Sequence, residues 1–207
     1  MKEKYHHQIT LEALGQHMDG SALETVIAAN LGQDALRYQF GHDHFHYDNN
    51  SFSVADAYVD ELRQQVLAAL QRADATTARE SFGRLTHTVQ DFYAHSNYVA
   101  LWRERHPDAA AQEIEPELQE LRNDPRLRSG RLYYPLEALS FVAALKPLVL
   151  PVLPRDSHAW MNLDGPDRPG FEPAFAAAVK RTHAEYLRLV AGLTSQQVAL
   201  FTGKDSQ

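Results

Sequence analysis

The residues with the clearest capacity for chemistry are His87, Asp91 and His95, spaced i, i+4 and i+8 within the stretch Gly83 to Asn97. If that stretch is helical, about 100° per residue places all three within roughly an 80° arc of one face. Imidazole, carboxylate and imidazole on successive turns can close on metal ions held in a groove between helices. Burying three ionisable groups without such partners would be costly. An isolated His-x3-Asp pair is commonly a solvated stripe or a core histidine capped by a carboxylate. Here Phe82, Leu85, Val89 and Phe92 flank the stripe, which makes simple exposure unfavourable.

Other histidines and carboxylates cluster upstream. His6 and His7 sit just before a predicted helix, a placement that also fits a frayed terminus. Asn30 and Asp34 lie four apart at the end of another. In Gly41 to Asn49 the histidines His42, His44 and His46 alternate and would all point one way in an extended segment. A His-rich loop is a metal-binding composition. His17 and His106 read as surface residues. With no cysteine in the chain, any metal must be held by histidine and carboxylate, which suits zinc or other divalent transition metals.

Composition narrows the partners. A net charge of −7 and a pI near 5.8 argue against a protein that coats nucleic-acid phosphates with a basic face. They leave room for a site in which metals supply the positive charge. Residues 1–10 are polar and lack the apolar centre of a secretory leader, so a cytoplasmic protein is expected. The most apolar stretch, Leu136 to Leu153, is interrupted by Glu137, Lys146, Pro147 and Pro151 and is unsuited to spanning a bilayer.

Helical periodicity is nearly continuous and strand patterns are nearly absent, so the expected fold is all-α, a single-domain bundle of six to eight helices over residues 1–207. A first helix is read from Ile9 to Met18. Ser21 with Glu24, and Thr77 with Glu80, form capping-box pairs that open helices running to about Arg37 and Asn97. Between them, from Ser53, an amphipathic helix carries Val59, Leu62, Val66 and Leu70 on one face. An exposed helix is expected around Ala110 to Arg122, another from Leu136 to Leu145, and a last one from Pro173 to about Val190. Phe141 to Leu153 reads as a core helix followed by a proline-rich loop, with a lipid-facing wall as the alternative.

The order of these pieces resembles the zinc-dependent phospholipase C and single-strand nuclease superfamily, in particular its branch related to heterokaryon-incompatibility protein C. The resemblance rests on His6-x-x-Ile9 with Ala13, then Asp34, then His46-Tyr47-Asp48-Asn49, then His87 to Asn97. It covers roughly the first half of the chain and implies the zinc phospholipase C type of helical bundle. By that resemblance His46, His87 and Asp34 bind one zinc, Asp91 bridges to a site containing His6, and His95 belongs to a further zinc. His44 is an alternative to His46, since Phe45 gives it the same His-aromatic pattern. Two features of the family are missing. The N-terminal tryptophan that ligates a metal has no counterpart before His6, and no late His-x3-Glu pair occurs. His158, in a stretch similar to one in the related branch, is the first substitute, with Asp164 and His183 behind it.

The implied function is a hydrolase, a phospholipase C that uses two or three Zn2+ ions. The metals would lower the pKa of bound water and stabilise charge on a phosphodiester, with Asp34 as general base. The implied partner is a phospholipid substrate, at a membrane surface. Asn97, Tyr47, Tyr93 and Tyr98 could orient the phosphate or headgroup. The competing readings are a nuclease or nucleotidase of the same superfamily and a non-catalytic, metal-stabilised interaction module.

Overall fold

The computed structural model describes residues 1–38, 41–142 and 144–204, and it is all-helical. Eleven α-helices occur among the described residues: α1 (Glu3–Leu14), α2 (Gly20–Gly32), α3 (Phe52–Gln71), α4 (Ala75–His95), α5 (Tyr98–Arg105), α6 (Gln119–Arg122), α7 (Leu136–Ser140), α8 (Lys146–Val149), α9 (His158–Met161), α10 (Phe171–Val190) and α11 (Ser195–Thr202). There is no strand among those residues. Two isolated bridges, Ser96 to Ser129 and Arg131 to Ser157, tie loops together.

The centre of the bundle is α4. From Ser81 to His95 every residue except Arg84 is buried, because α2, α3 and α10 pack around this helix. Its close approach to α2 depends on Gly83. A Cβ there would lie 2.3 Å from the Val26 carbonyl oxygen and 2.8 Å from the Ala29 Cβ. Neither partner is the loose end of a side chain, so the helices must separate to admit it. Gly83→Ala is therefore expected to cost about 1–3 kcal/mol, as overpacked cores do. A lowered denaturation midpoint at unchanged helix content by circular dichroism would register it; an unchanged midpoint would show that the crossing yields freely.

Several boundaries differ from expectation. α1 begins at Glu3, so His6 lies within the helix rather than before it. The caps are aspartates upstream of the expected pairs: Asp19 accepts from the Ala22 amide at 2.7 Å, and Asp74 from the Thr77 amide at 3.0 Å. Aspartate caps as well as serine and also complements the helix dipole. α2 stops at Gly32, which leaves Asp34 in the turn beyond it. The helix expected over Ala110 to Arg122 is split by Pro116 into a 3-10 turn, Ala111–Glu113, and α6. The one expected from Leu136 to Leu145 ends at Ser140, and Ala143 lies outside the described residues. α11 was not anticipated, although Thr194 and Gln197 cap it reciprocally.

The segment Phe141 to Leu153 is not a core helix. Phe141 is 53% exposed, Leu148 73% and Val152 65%. Away from it, a buried ionic cluster ties α3 to α10. The Glu185 carboxylate accepts from Arg63, Arg181 and Arg188 at 2.7–3.0 Å, and Arg181 and Arg188 also reach Glu117.

Candidate metal centre

Five chain segments converge on one side of α4. α4 itself contributes His87, Asp91 and His95 from consecutive turns, and all three are buried. Asp91 is the hub. Its Oδ2 lies 3.0 Å from His87 Nε2 and 2.9 Å from His46 Nδ1, and those two nitrogens are 3.1 Å apart. Its Oδ1 faces His6 Nε2 at 3.2 Å, His95 Nε2 at 3.6 Å and the α-amine of Met1. Asp34, half-buried, approaches the same nitrogens of His87 and His46 at 3.7 and 3.9 Å.

A second ring of donors adjoins the first. His158 Nδ1 is 2.9 Å from Asp48 Oδ1, His95 Nδ1 is 3.5 Å from that oxygen, and His95 Nε2 is 3.5 Å from Asp164 Oδ1. Three sets of donor atoms each fall within 4.8 Å of one another: His6, Asp34 and His87; His46, His87 and Asp91; Asp48, His95 and His158. Of these donors Asp34, His46, Asp48, His95 and His158 border a cavity of about 310 Å³, with Tyr134 and Phe141 also in its wall. Two wider clefts, of about 750 and 770 Å³, have no histidine in their walls.

Local structure explains the aim of each side chain. Gln90 fixes His6: its Nε2 donates to Thr10 and Thr182, while its Oε1 accepts from Asn30 at 3.2 Å and from His6 Nδ1 at 2.6 Å. With Nδ1 protonated, His6 turns a bare Nε2 toward Asp91. In the loop after α2, a 3-10 turn at Asp43–Phe45 breaks the alternation expected of an extended segment. His46 enters the centre, whereas His44 packs its ring edge-on against Tyr58 at 5.4 Å. Tyr47 then adopts a left-handed conformation, φ 57°, and Asp48 beyond it is buried beside His46. Asn49 and Asn50 pin this loop to residues 129–132: their side-chain oxygens accept from the Leu132 and Ser129 amides, and the Asn50 amide donates to the Ser129 hydroxyl.

The electrostatics call for cations. Among the described residues no lysine or arginine forms an ion pair with Asp48, Asp91 or Asp164. The groups polarise one another instead. Burial opposes ionisation of Asp91, yet His95, the Met1 ammonium, His87 and His6 hold its carboxyl well below the usual range. Burial likewise works against a charged His95, and Asp91 and Asp48 outweigh it, raising His95 to about 9. His87 goes the other way, lowered by burial and by His6.

The donors suit zinc. Tetrahedral ligands about 2.0–2.2 Å from an ion sit about 3.3 Å from one another, close to the 2.9–3.9 Å separations around Asp91. A hydrogen bond joins two atoms, whereas here three or four donors close on a common point. His6 Nε2 and Asp164 Oδ1 are buried without a hydrogen-bond partner and both face this centre.

Of the residues expected from sequence, His6, Asp34, His46, His87, Asp91, His95 and His158 come together, and His44 does not. His183 stacks on His17, ring centroids 5.0 Å apart, and belongs to none of the donor sets. Asp48 was not anticipated as a donor, though its position two residues after His46 was a signal. Asp164 reaches His95, and the Met1 amine was not anticipated at all. The phosphate-orienting roles are not realised. Tyr93 and Tyr98 donate to the carbonyls of Pro116 and Glu115, Tyr47 donates to Asp56, and Asn97 braces Arg126 and Arg128.

A family model of the VWA7 N-terminal domain matches residues 6–120, more than half the chain, from within α1 to α6. Human von Willebrand factor A domain-containing protein 7 is 38% identical over 89 residues, which is 42% of this chain and 10% of that protein. The rat protein of the same name is 33% identical over 88 residues, with the same shares. The chain thus matches about a tenth of the length of these curated relatives. No solved structure matches it.

These matches overturn the resemblance to the zinc-dependent phospholipase C and single-strand nuclease superfamily. The phospholipase C activity, the nuclease alternative and the general-base role of Asp34 were drawn from that resemblance and fall with it, since the relatives carry no indication of a phosphodiesterase. His-x3-Asp-x3-His on a buried helix reports metal-binding geometry, which is compatible with more than one family.

Proposed function

The chain belongs to the VWA7 N-terminal domain family, and we propose that it is a non-catalytic, metal-stabilised helical module. One observation carries this reading: both oxygens of buried Asp91 are shared among four histidines drawn from three separate segments. His46, His87, Asp34 and Asp91 would hold one zinc ion. His6 with Asp91, and His95 with Asp48 and His158, would take part in one or two more. When bound, zinc would supply divalent charge to Asp48 and Asp91, which no lysine or arginine among the described residues pairs, and would cross-link α1, α4, the 43–50 loop and the 157–164 segment. Metal binding is then folding free energy. The length of the relatives is in keeping with a module that serves within a larger protein.

The test is elemental analysis of tag-free protein together with its thermal unfolding. Two or three zinc ions per chain are expected. Removing them with a chelator should lower the melting temperature by roughly 5–11 °C for each site held at about 100 times its Kd, which corresponds to about 2.7 kcal/mol. Protein that carries no metal, and takes none up from solution, would make the histidine cluster a plain ion-pair network.

A further inference from the structure

The outer wall of the cavity continues into an unusual surface. Among the described residues twelve large apolar side chains are exposed, and eight of them lie between Tyr134 and Val152. Leu136 and Leu139 on α7, Phe141 and Val142 after it, Leu148 on α8 and Val152 beyond form the bulk of this face, 41–73% exposed. Isolated surface apolar residues are ordinary, but a concentration of this kind marks a contact surface.

Its charge is as distinctive as its apolarity. The chain carries a net −7, yet the ionisable residues of segment 131–155 are Arg131, Lys146 and Arg155 against one carboxylate, Glu137. Glu137 is fully buried and accepts the Ala159 amide at 2.6 Å, so the charge the segment presents to solvent is positive. The flanking Asp156 accepts from the Tyr133 hydroxyl and lies 3.8 Å from Arg131, while Asp167, which also feels the charge of Lys146, pairs with Lys2 at 3.4 Å. Arg155 places its guanidinium 3.7 Å from the centre of the half-buried Trp160 ring. Tryptophan and arginine are each residue types that membrane interfaces accommodate, with an apolar body and a polar or charged end. No helix among the described residues is long and apolar enough to cross a membrane, so contact here would be with the surface of a bilayer.

From this face we infer that the module docks on an anionic lipid surface, with Leu148, Val152 and Phe141 entering the headgroup boundary and Lys146 and Arg155 meeting acidic headgroups. The charge complementarity selects this occupant over an apolar protein groove or a second copy of the chain, whose own corresponding face would bring like charges together. The inference does not rest on the metal reading, because the residues it uses are not donors in the centre.

The experiment is co-sedimentation of the full chain with vesicles of phosphatidylcholine alone and with about 30% phosphatidylserine, at about 0.1 M and about 0.5 M salt. Sedimentation with the phosphatidylserine vesicles is expected, weakened at high salt and poor with phosphatidylcholine alone. Lys146→Ala with Arg155→Ala should reduce binding roughly 10- to 30-fold, at about fivefold per charge. Leu148→Asp with Val152→Asp should reduce it at least as much, and both pairs should leave the zinc content unchanged because none of the four side chains belongs to a donor set. No sedimentation of the wild type overturns the inference, as does equal binding by both variants. A dimer in analytical ultracentrifugation that Leu148→Asp dissolves, without vesicle binding, would assign the face to a second copy instead.

Discussion

Asp91→Asn is expected to leave at most one zinc ion per chain, in the Asp48, His95 and His158 set, where two or three are expected in the wild type. The substitution keeps the shape of the side chain and removes its charge. Its weight comes from position: one carboxylate oxygen faces His46 and His87, the other His6 and His95. Ligand sets that share Asp91 therefore lose an anionic donor together. Changing a partner that merely orients a ligand typically costs 10- to 100-fold in metal affinity, and a bridging ligand should cost more. The chelator-sensitive part of the melting temperature should shrink with the metal lost, so a chelator should lower the melting temperature of the variant less than that of the wild type. His44→Ala is the matched control. Its ring packs on Tyr58 outside the donor sets, and full zinc content is expected. Asp91→Asn protein with undiminished zinc would refute the shared centre; loss of zinc in His44→Ala alone would place the metal in the surface loop.

Glu185→Gln should be the most damaging single change distant from the centre, at about 3–5 kcal/mol. Glu185 is 2% exposed and accepts from three arginines. Removing its charge leaves Arg181, itself 15% exposed, beside Arg63, with Glu117 left to balance the first and the exposed Asp60 the second. Arg63 and Arg188 retain some water, at 28% and 46% exposure, which favours the lower end of that range. A drop of roughly 6–12 °C in melting temperature corresponds to about 3 kcal/mol. The pH dependence has a definite sign. Burial works against the charged carboxylate, but Arg63, Arg181 and Arg188 prevail and hold Glu185 below its ordinary value of 4.5. A depressed carboxylate contributes fully above its unfolded-state pKa and loses that contribution as pH falls through the folded-state value. Wild-type stability should therefore decline below about pH 4.5 more steeply than that of Glu185→Gln, and urea titrations at several acidic pH values would measure the difference. Loss of less than about 1 kcal/mol at neutral pH would show that the arginines re-solvate freely.

How much of this was legible beforehand differs by residue. The stripe His87, Asp91, His95 could be read directly because a helix has one period and its side-chain directions follow from it. The amphipathic face of α3, with Val59, Leu62, Val66 and Leu70, was legible for the same reason, and all four are buried. Asp34 and His46 were found by residue type, but their roles were assigned through a resemblance that family matching displaced. The start of α1 and the caps of α2 and α4 were misjudged because end signals compete within a few residues: α1 opens at Glu3 with no side-chain cap, and an aspartate two or three positions upstream captured the caps of α2 and α4.

What the sequence determined by itself is therefore periodic and local: an all-helical chain, a buried ionisable stripe on α4, and a donor set without thiolates. The tertiary structure decided what depends on contacts between distant segments. It selected His46 over His44 through a 3-10 turn, brought Asp48, His158 and Asp164 to His95, and set Glu185 among its arginines. It also left the residues from Phe141 to Val152 largely outside the core. An apolar run has the same composition whether neighbouring helices cover it or not, and only their packing settles which side of it meets water.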